Sequence, residues 1–409
     1  MSLPVALADI RAAADAIAGA VLRTPAVAAP ALAEIAGCEV VLKLETLHPT
    51  GSFKERGALN KLLSLDADRR RAGVIALSAG NHAQGVARHA RRLGIPATIV
   101  MPADTPFTKV EHTEAYGARV LLRGSSLAEA RRVADALAAA EGLSLIHPYD
   151  DAAIIAGQGT IALELLADRP DLDALLVPVG GGGLIAGIAI AAKALKPGIA
   201  VFGVQAALYA GMAQALGRAG PPPGGTTLAE GIAVLEPGRL TRPVVAALVD
   251  DLLLVDEAAL ERAVARLLDA EKLIVEGAGA APLAALLANA ERFRGRRVGL
   301  VLSGGNIDSR LLASILQRQL VRSGRLVGLR IELSDQPGAL GRIADIICES
   351  GGNIVEVYHR RLFQDVPAKL AVVDAVVELR NRHVEDLVAA LAAAGFPTGL
   401  LSSRALEGS

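Results

Sequence analysis

Short apolar runs alternate with helical patterns from the N-terminus to about residue 318. Seven of these runs have the length and composition of buried strands, and each precedes a turn and an Ala/Leu-rich helix: VVLKLE, GVIALSAG, IPATIVMP, ARVLLRG, ALLVPVGGGG, IAVFGVQ and RVGLVLSGG. Continuous apolar strands that alternate with helices are typical of parallel sheets covered by helices. The pattern therefore predicts an α/β domain over residues 1–318.

The pattern changes near residue 325, where apolar and polar residues alternate strictly. The segment RLVGLRIELSDQPG places four apolar residues on one strand face: Val327, Leu329, Ile331 and Leu333. A helical pattern follows, then NIVEVYHRRLF, KLAVVDAVVEL, HVEDLVAALAAAG and PTGLLSSRA. This order predicts a ferredoxin-like βαββαβ domain over residues 326–404, joined to the first domain by a linker at 319–325.

Composition and charge narrow the classes of partner. The 409 residues include 42 basic and 43 acidic ones, so the net charge of −1 predicts neither a nucleic-acid nor an anionic-membrane partner. Charged residues interrupt every apolar run before the roughly 20 residues that cross a bilayer, and no basic segment precedes the first apolar stretch. We therefore expect a cytoplasmic protein. Cys38 and Cys348 are too far apart to match a metal-ligand spacing, so no metal is predicted.

Three glycine-rich elements follow predicted strands. They are SAGNHAQG at 78–85, GGGGLIAG at 180–187 and SGGN at 303–306. Ligands bind at the carboxyl ends of strands in such sheets, and free N–H groups at a helix N-terminus attract anions. The tetraglycine lacks the Gly-Lys-Ser/Thr of a nucleoside-triphosphate loop, and Gln205 stands where a dinucleotide site needs an acid. A single phosphate is favoured, because strand–helix packing alone would need only one or two glycines.

The stretch HPTGSFKERGA carries Lys54 at the start of a predicted helix. One interpretation is a lysine on the first turn of a surface helix, with Ser52 as the N-cap. The other is chemical. A lysine amine, a cradle for one phosphate and polar groups at strand ends together describe a pyridoxal phosphate site.

Six motifs occur in the order and spacing that threonine dehydratases show: SFKERGA, SAGNHAQG, GGGGL, LAEGIAV, VEGAGAA and SGGN. The chain resembles these enzymes, which belong to the tryptophan-synthase-β-like class of pyridoxal phosphate enzymes. The resemblance implies a two-lobed catalytic domain of fold type II over residues 1–318, with a small lobe inserted at about 48–150. The tail LSDQPGAL…GGNI is similar to an ACT domain, a regulatory module that binds amino acids.

The resemblance also implies roles for individual residues. Lys54 would bond covalently to the cofactor, with Phe53 against it. Asn81 would hydrogen-bond the ring hydroxyl and Ser303 would meet the pyridine nitrogen. The phosphate would bind at Gly180, Gly181, Gly182 and Gly183, and the substrate at Ser78, Ala79, Gly80, Asn81 and His82. Simpler structural roles remain open: Asn81 as an N-cap, His82 as a satisfied turn residue and Ser303 as a strand-end hydroxyl.

The implied reaction is the deamination of L-threonine to 2-oxobutanoate and ammonia by α,β-elimination, with side activity on L-serine. A serine or 3-hydroxyaspartate dehydratase is an alternative, and an amino-acid-binding regulator without catalysis is another. Serine racemases carry a second serine where this chain has Ala79, and an acid for a divalent metal where it has Gln205. Both departures argue against racemisation.

The C-terminal domain is expected to regulate the first. Exposed edges of a βαββαβ sheet favour pairing with a second copy, so a homodimer or homotetramer is expected. Isoleucine or valine is the expected effector, which fits isoleucine biosynthesis. The expected effector residues are Asp335, Gln336 and Gly338 and, by the resemblance, Asn353 across the paired interface from that turn. A domain that only joins subunits is the alternative.

Overall fold

A computed structural model describes residues 3–218, 220–360, 369–380 and 383–401. The chain divides into two compact units, Met1–Ile307 and Asp308–Ser409. The predicted linker at 319–325 covers the last four residues of the first helix of the second unit and the three residues before its first strand.

The strands of the first unit form two sheets. Their bounds are β1 (Ala26–Ala28), β2 (Glu39–Leu44), β3 (Val74–Leu77), β4 (Ala97–Met101), β5 (Arg119–Leu122), β6 (Ser144–Leu145), β7 (Ala174–Pro178), β8 (Ala200–Ala206), β9 (Asp251–Val255) and β10 (Arg297–Leu302). The larger sheet has the order β1-β2-β10-β7-β8-β9, and the smaller has the order β5-β4-β3-β6. All pairs are parallel except β1–β2.

Helices connect and cover these strands. Their bounds are α1 (Leu7–Ile17), α2 (Pro30–Ala36), α3 (Lys54–Leu63), α4 (Ala67–Ala72), α5 (Asn81–Leu93), α6 (Phe107–Ala115), α7 (Leu127–Glu141), α8 (Ala152–Asp168), α9 (Gly183–Leu195), α10 (Gly211–Ala215), α11 (Thr241–Leu248), α12 (Glu257–Glu271), α13 (Gly277–Ala288) and α14 (Ala290–Phe293). Each sheet has its own apolar core, so the unit has two lobes. In α8 and α9, which contribute to the larger core, consecutive residues are buried, so these helices have buried residues on every face.

Close helix packing holds α3, which begins with Lys54, against α8. A Cβ added to Gly157 of α8 would lie 2.6 Å from the Cα of Gly57 in α3. No real Cβ atom tolerates that separation, so glycine at this point lets the two backbones touch. The position of Lys54 therefore depends on small residues in two helices that are distant in sequence.

The second unit contains three helices and a four-stranded antiparallel sheet among its described residues. Their bounds are α15 (Ser309–Arg322), β11 (Leu326–Ser334), α16 (Ala339–Glu349), β12 (Gly352–Arg360), β13 (Leu370–Leu379), α17 (Val384–Ala393) and β14 (Thr398–Leu400). The sheet order is β12-β13-β11-β14. Val327, Leu329, Ile331 and Leu333 are buried against helix residues such as Ile343 and Ile347, as the alternating pattern predicted.

The seven strands predicted from apolar runs are present, and the parallel arrangement is confirmed for both sheets apart from β1. Strands β1, β6 and β9 were not predicted, and two of them are only two or three residues long. Within the described ranges, no helix combines the length and apolar character needed to cross a membrane.

Candidate active site

Lys54 is the first residue of α3 and lies between the two lobes. Its Nζ donates a hydrogen bond to the carbonyl oxygen of Pro148 at 2.9 Å and lies 5.1 Å from the centre of the Phe53 ring. Burial lowers the pKa of Lys54 to about 8, although the nearby Glu276 carboxylate opposes this shift. An amine with such a pKa is partly neutral near neutral pH, so it can act as a nucleophile or a base.

The surface-helix interpretation of Lys54 is wrong. Ser52 is fully buried, and its Oγ has no hydrogen-bond partner among the described residues, so it does not cap α3. Phe53 occupies the N-cap position, without a side-chain hydrogen bond to the helix. The loop is instead fixed by backbone contacts to another part of the chain.

Those contacts come from the SGGN turn that follows β10. The Phe53 N–H donates to the Ser303 carbonyl at 3.0 Å, and the Gly305 N–H donates to the Gly51 carbonyl at 2.9 Å. An antiparallel bridge joins Ser52 to Gly304 between these bonds. Ser303 is buried at the carboxyl end of β10. The turn thus brings Ser303 beside the Lys54 loop, although the two are distant in sequence.

The tetraglycine lies between β7 and α9, as the sequence pattern predicted. Gly180, Gly181, Gly182 and Gly183 follow the strand end, and the helix begins at Gly183. No carbonyl in the described part of the chain accepts a hydrogen bond from their four N–H groups. Unpaired N–H groups at a helix N-terminus suit a phosphate, so this donor set fits the phosphate of pyridoxal phosphate.

Packing nevertheless constrains all four glycines, which corrects the expectation that packing would need only one or two. A Cβ on any of them would lie within 3.1 Å of a neighbouring group: Ile232 for Gly180, Tyr149 for Gly181 and Gly183, and Met212 and Thr241 for Gly182. Gly182 also has φ of 97°, a conformation that favours glycine. The glycine run therefore has a structural reason in addition to its free N–H groups.

Asn81 begins α5, after the turn that follows β3, and its side chain makes two hydrogen bonds. Its Nδ2 donates to Oε1 of Glu276 at 2.8 Å, and its Oδ1 accepts from Nδ2 of Asn306 at 2.7 Å. Glu276 is the residue before α13 and does not cap it. Burial raises the pKa of Glu276 to about 7, although donation from Asn81 and the charge of Lys109 oppose the shift.

The remaining predicted substrate residues form the turn between β3 and α5. The Oγ of Ser78 accepts from the Gly80 N–H at 3.2 Å, with Ala79 between them. His82 is buried, and its Nε2 lies 2.9 Å from the Ile146 carbonyl, so this nitrogen carries the hydrogen. Burial, helped by the charge of Lys54, lowers the pKa of His82 to about 3. The imidazole is therefore a neutral structural group.

The predicted effector residues lie in the second unit, at two ends of its sheet. Asp335, Gln336 and Gly338 form the turn after β11, and Gly338 precedes α16 with φ of 85°. Asn353 pairs with Glu378 at the start of β12 and the end of β13, which is the end of the sheet opposite this turn. One copy of the sheet therefore does not bring Asn353 to the turn.

Two polar residues of the site were not predicted. Glu276 stands in VEGAGAA as a carboxylate directly before a glycine-rich helix, and Asn306 ends SGGN. The available signal was a polar residue at the edge of a glycine-rich motif. The partner of Lys54, a main-chain carbonyl at Pro148, leaves no signal in the sequence.

Comparison with known proteins gives consistent matches. The family described as pyridoxal-phosphate dependent enzyme matches residues 17–304. An L-threonine ammonia-lyase of Thermotoga maritima is 42% identical over 395 residues, which are 96% of this chain and 98% of the relative. A solved threonine deaminase of T.th. is 43% identical with a TM-score of 0.69, covering 74% of this chain and 99% of that one.

A solved serine racemase of maize has a TM-score of 0.72 and is 35% identical, over 78% of this chain and 99% of its own. Enzymes with different reactions thus share the fold. The family match covers more than half of the chain and includes every residue placed in the site above except Gly305 and Asn306.

We expect Glu276→Gln to lower the pKa of Lys54 below about 8, because the carboxylate charge stabilises the ammonium form. Loss of that charge makes the amine neutral at lower pH. The measurement is the rate at which the apoprotein incorporates pyridoxal phosphate, followed by absorbance as a function of pH. The midpoint should move to lower pH in Glu276→Gln and stay in place in the surface control Glu291→Gln. A midpoint that is unchanged or higher in Glu276→Gln would contradict this electrostatic coupling.

Proposed function

This chain belongs to the family of pyridoxal-phosphate dependent enzymes, and we propose that it is an L-threonine ammonia-lyase, which converts L-threonine to 2-oxobutanoate and ammonia. One observation carries the proposal most directly. Lys54, with a pKa lowered to about 8, directly follows a loop that is hydrogen-bonded to the Ser303 turn, and it lies within the electrostatic reach of Glu276. The 42% identity to a threonine ammonia-lyase over nearly the whole chain supports the choice of substrate.

The residues present fit the cofactor at each of its polar positions. When bound, pyridoxal phosphate supplies an electron-withdrawing ring that makes the α-proton of an amino acid acidic. The N–H groups of Gly180, Gly181, Gly182 and Gly183 would hold the phosphate. Asn81 would donate to the ring hydroxyl and Ser303 would meet the ring nitrogen, while Phe53 packs beside Lys54.

Lys54 takes the α-proton of the substrate on Nζ. Its depressed pKa leaves a neutral fraction that can accept a proton near neutral pH, and the Pro148 carbonyl holds the amine in place. Ser78 and the N–H groups at the start of α5 bind the substrate carboxylate. His82 contributes its N–H there and not its imidazole, which is occupied by the Ile146 carbonyl.

Serine is the expected second substrate. It differs from threonine by one methyl group, and one methyl contact in an apolar pocket is worth about 1–3 kcal/mol. Serine should therefore react more slowly by the same steps. 3-Hydroxyaspartate carries a second carboxylate, which needs a basic partner in the substrate pocket, so it ranks below both.

Serine racemisation is the second candidate, because a serine racemase shares the fold at 35% identity. Racemisation needs a proton donor on the face of the substrate opposite Lys54. Ala79 occupies the turn position where serine racemases, by the resemblance described above, have a serine. An alanine donates no proton from its side chain, so elimination is favoured.

The second unit serves as an amino-acid-binding regulatory domain of the ACT type. After α15, its described strands and helices follow the order βαββαβ, and the turn at Asp335, Gln336 and Gly338 leads into the N-terminus of α16. Backbone N–H groups there suit the carboxylate of an amino acid. Because Asn353 lies at the other end of the sheet, it would reach that turn only on a second copy, so we expect a homodimer or homotetramer.

Replacing Lys54 with Ala should reduce 2-oxobutanoate release from L-threonine by about a thousandfold or more, since both the covalent attachment and the base are lost. Lys61→Ala, on the same helix, should retain activity within about twofold. Keto-acid formation from L-threonine, L-serine and 3-hydroxyaspartate measures both effects. Faster turnover of 3-hydroxyaspartate than of threonine would overturn the substrate assignment, and an active Lys54→Ala would overturn the site.

The unchanged enzyme should give little D-serine when supplied with L-serine, because Ala79 cannot return a proton to the opposite face. Ala79→Ser should raise the ratio of D-serine to pyruvate, and Ala79→Gly should leave it low. Chiral chromatography of the unreacted serine gives this ratio. D-serine formation by the unchanged enzyme at a rate similar to pyruvate formation would show that another residue donates the proton.

Isoleucine or valine should change the threonine response of the full chain by a coupling of about 1–3 kcal/mol, roughly 5- to 150-fold in apparent affinity. Asp335→Asn should weaken this response, whereas Asp345→Asn on the following helix should keep it. A chain that ends at Ile307 should lose it. Threonine saturation curves with and without each amino acid test the effect. An undiminished response in the shortened chain would refute the regulatory role.

A further inference from the structure

A continuous chain of side-chain hydrogen bonds connects the Lys54 loop to Glu276. Asn306 donates from Nδ2 to the Thr50 carbonyl at 2.7 Å and to Oδ1 of Asn81 at 2.7 Å. Asn81 then donates from Nδ2 to Oε1 of Glu276 at 2.8 Å. Both hydrogens of the Asn306 amide are used, while the Asn81 amide keeps one hydrogen for a further acceptor.

The direction of these bonds is fixed by the groups at the two ends. The Thr50 carbonyl only accepts hydrogen bonds, so Asn306 must turn its NH₂ group toward the loop. Asn81 must then present its oxygen to Asn306, because two NH₂ groups facing each other would leave both unpaired. The NH₂ group of Asn81 consequently faces Glu276. A main-chain atom thus determines the orientation of an amide that is two hydrogen bonds away.

Two glycines leave room for this arrangement. A Cβ on Gly51 would lie 2.9 Å from Cγ of Asn306, and a Cβ on Gly304 would lie 3.0 Å from Cδ of Glu276 and 3.1 Å from Nδ2 of Asn81. Gly51 also has φ of 67°, which a side chain disfavours. The glycines of TGSFK and SGGN therefore hold the space that the hydrogen-bonded chain occupies.

We propose that Asn306 is a positioning residue for cofactor binding, which acts by holding the Asn81 amide with its NH₂ group toward the ring hydroxyl. The inference rests on the cofactor site of the proposed function and adds a residue to it. Asn306 itself is exposed, and its role requires no contact with the cofactor. Its effect passes through Asn81, whose amide is held between Asn306 and Glu276; without Asn306, only the bond to Glu276 orients it.

Two substitutions separate orientation from shape. Asn306→Ala removes the donor, so the Asn81 amide loses the partner of its oxygen. Asn306→Asp keeps nearly the same shape but offers only acceptors, which repel the Thr50 carbonyl and favour the reversed Asn81 amide. The oxygen of Asn81 would then face the ring hydroxyl. Asn289→Ala is a matched control, since the Asn289 amide also donates to a main-chain carbonyl, that of Ala285, but lies outside the site.

The experiment measures the equilibrium affinity of each apoprotein for pyridoxal phosphate by absorbance, with its melting temperature measured in parallel. Asn306→Ala should weaken binding by about three- to tenfold, and Asn306→Asp by at least as much, as expected for loss of one oriented hydrogen bond. Asn289→Ala should bind as the unchanged chain does. Cofactor affinity does not depend on which hydroxy amino acid reacts, so this test and the test of the threonine assignment fail independently.

A double-mutant cycle distinguishes action through Asn81 from a separate role. In an Asn81→Ala background, Asn306→Ala should have less than about a twofold further effect on cofactor affinity, because there is no amide left to orient. Multiplied effects of the two substitutions would overturn the proposal. So would normal affinity in Asn306→Asp, which would show that shape alone matters at this position.

Discussion

The position of Lys54 depends on a buried ion network centred on Arg56, the third residue of the same helix. The Arg56 guanidinium donates to both oxygens of Glu45, at 2.7 and 2.9 Å, and to both oxygens of Glu164, at 2.6 and 2.9 Å. Lys43 adds a bond to Glu164 at 2.6 Å. Burial opposes the charge on Glu45, but the Arg56 charge outweighs it and lowers the pKa of that carboxyl. Loss of one partner from such a network typically costs about 3–5 kcal/mol. The network fixes the first turn of α3 to β2 and α8.

This rigid attachment lets the site combine elements that are far apart in the chain. Helices α3, α5 and α9 begin at site residues, Lys54, Asn81 and Gly183, and α13 begins at Gly277, directly after Glu276. Their N-termini carry partial positive charge, which suits a phosphate and an amino-acid carboxylate and disfavours a second fixed cation. Lys54 and Glu276 have pKa values shifted toward neutrality by burial in the same cleft. Burial therefore leaves both groups partly neutral near neutral pH.

Local pattern was sufficient for most of the elements and for several site residues. Apolar runs identified the long buried strands, and strict alternation identified β11, because side-chain periodicity directly reflects which faces are buried. Short strands such as β6 were missed because two residues carry no periodicity. The Ser52 cap was also wrong. A serine before a helix is a favourable N-cap in isolation, but here the SGGN turn buries it and determines the backbone instead.

The sequence by itself determined the α/β and ferredoxin-like domains, and the motifs that carry Lys54, Asn81, the tetraglycine and Ser303. These features depend on neighbours within a few residues, so they can be read along the chain. Only the tertiary structure decided the partners of these residues. Asn81 meets Glu276 across 195 positions and Asn306 across 225, and Lys54 meets a main-chain carbonyl across 94. Such contacts arise because segments that follow strands of two different sheets meet in the folded unit, which no local pattern records. The shifted pKa values of Lys54 and Glu276 follow from the same burial, and a sequence carries no measure of it.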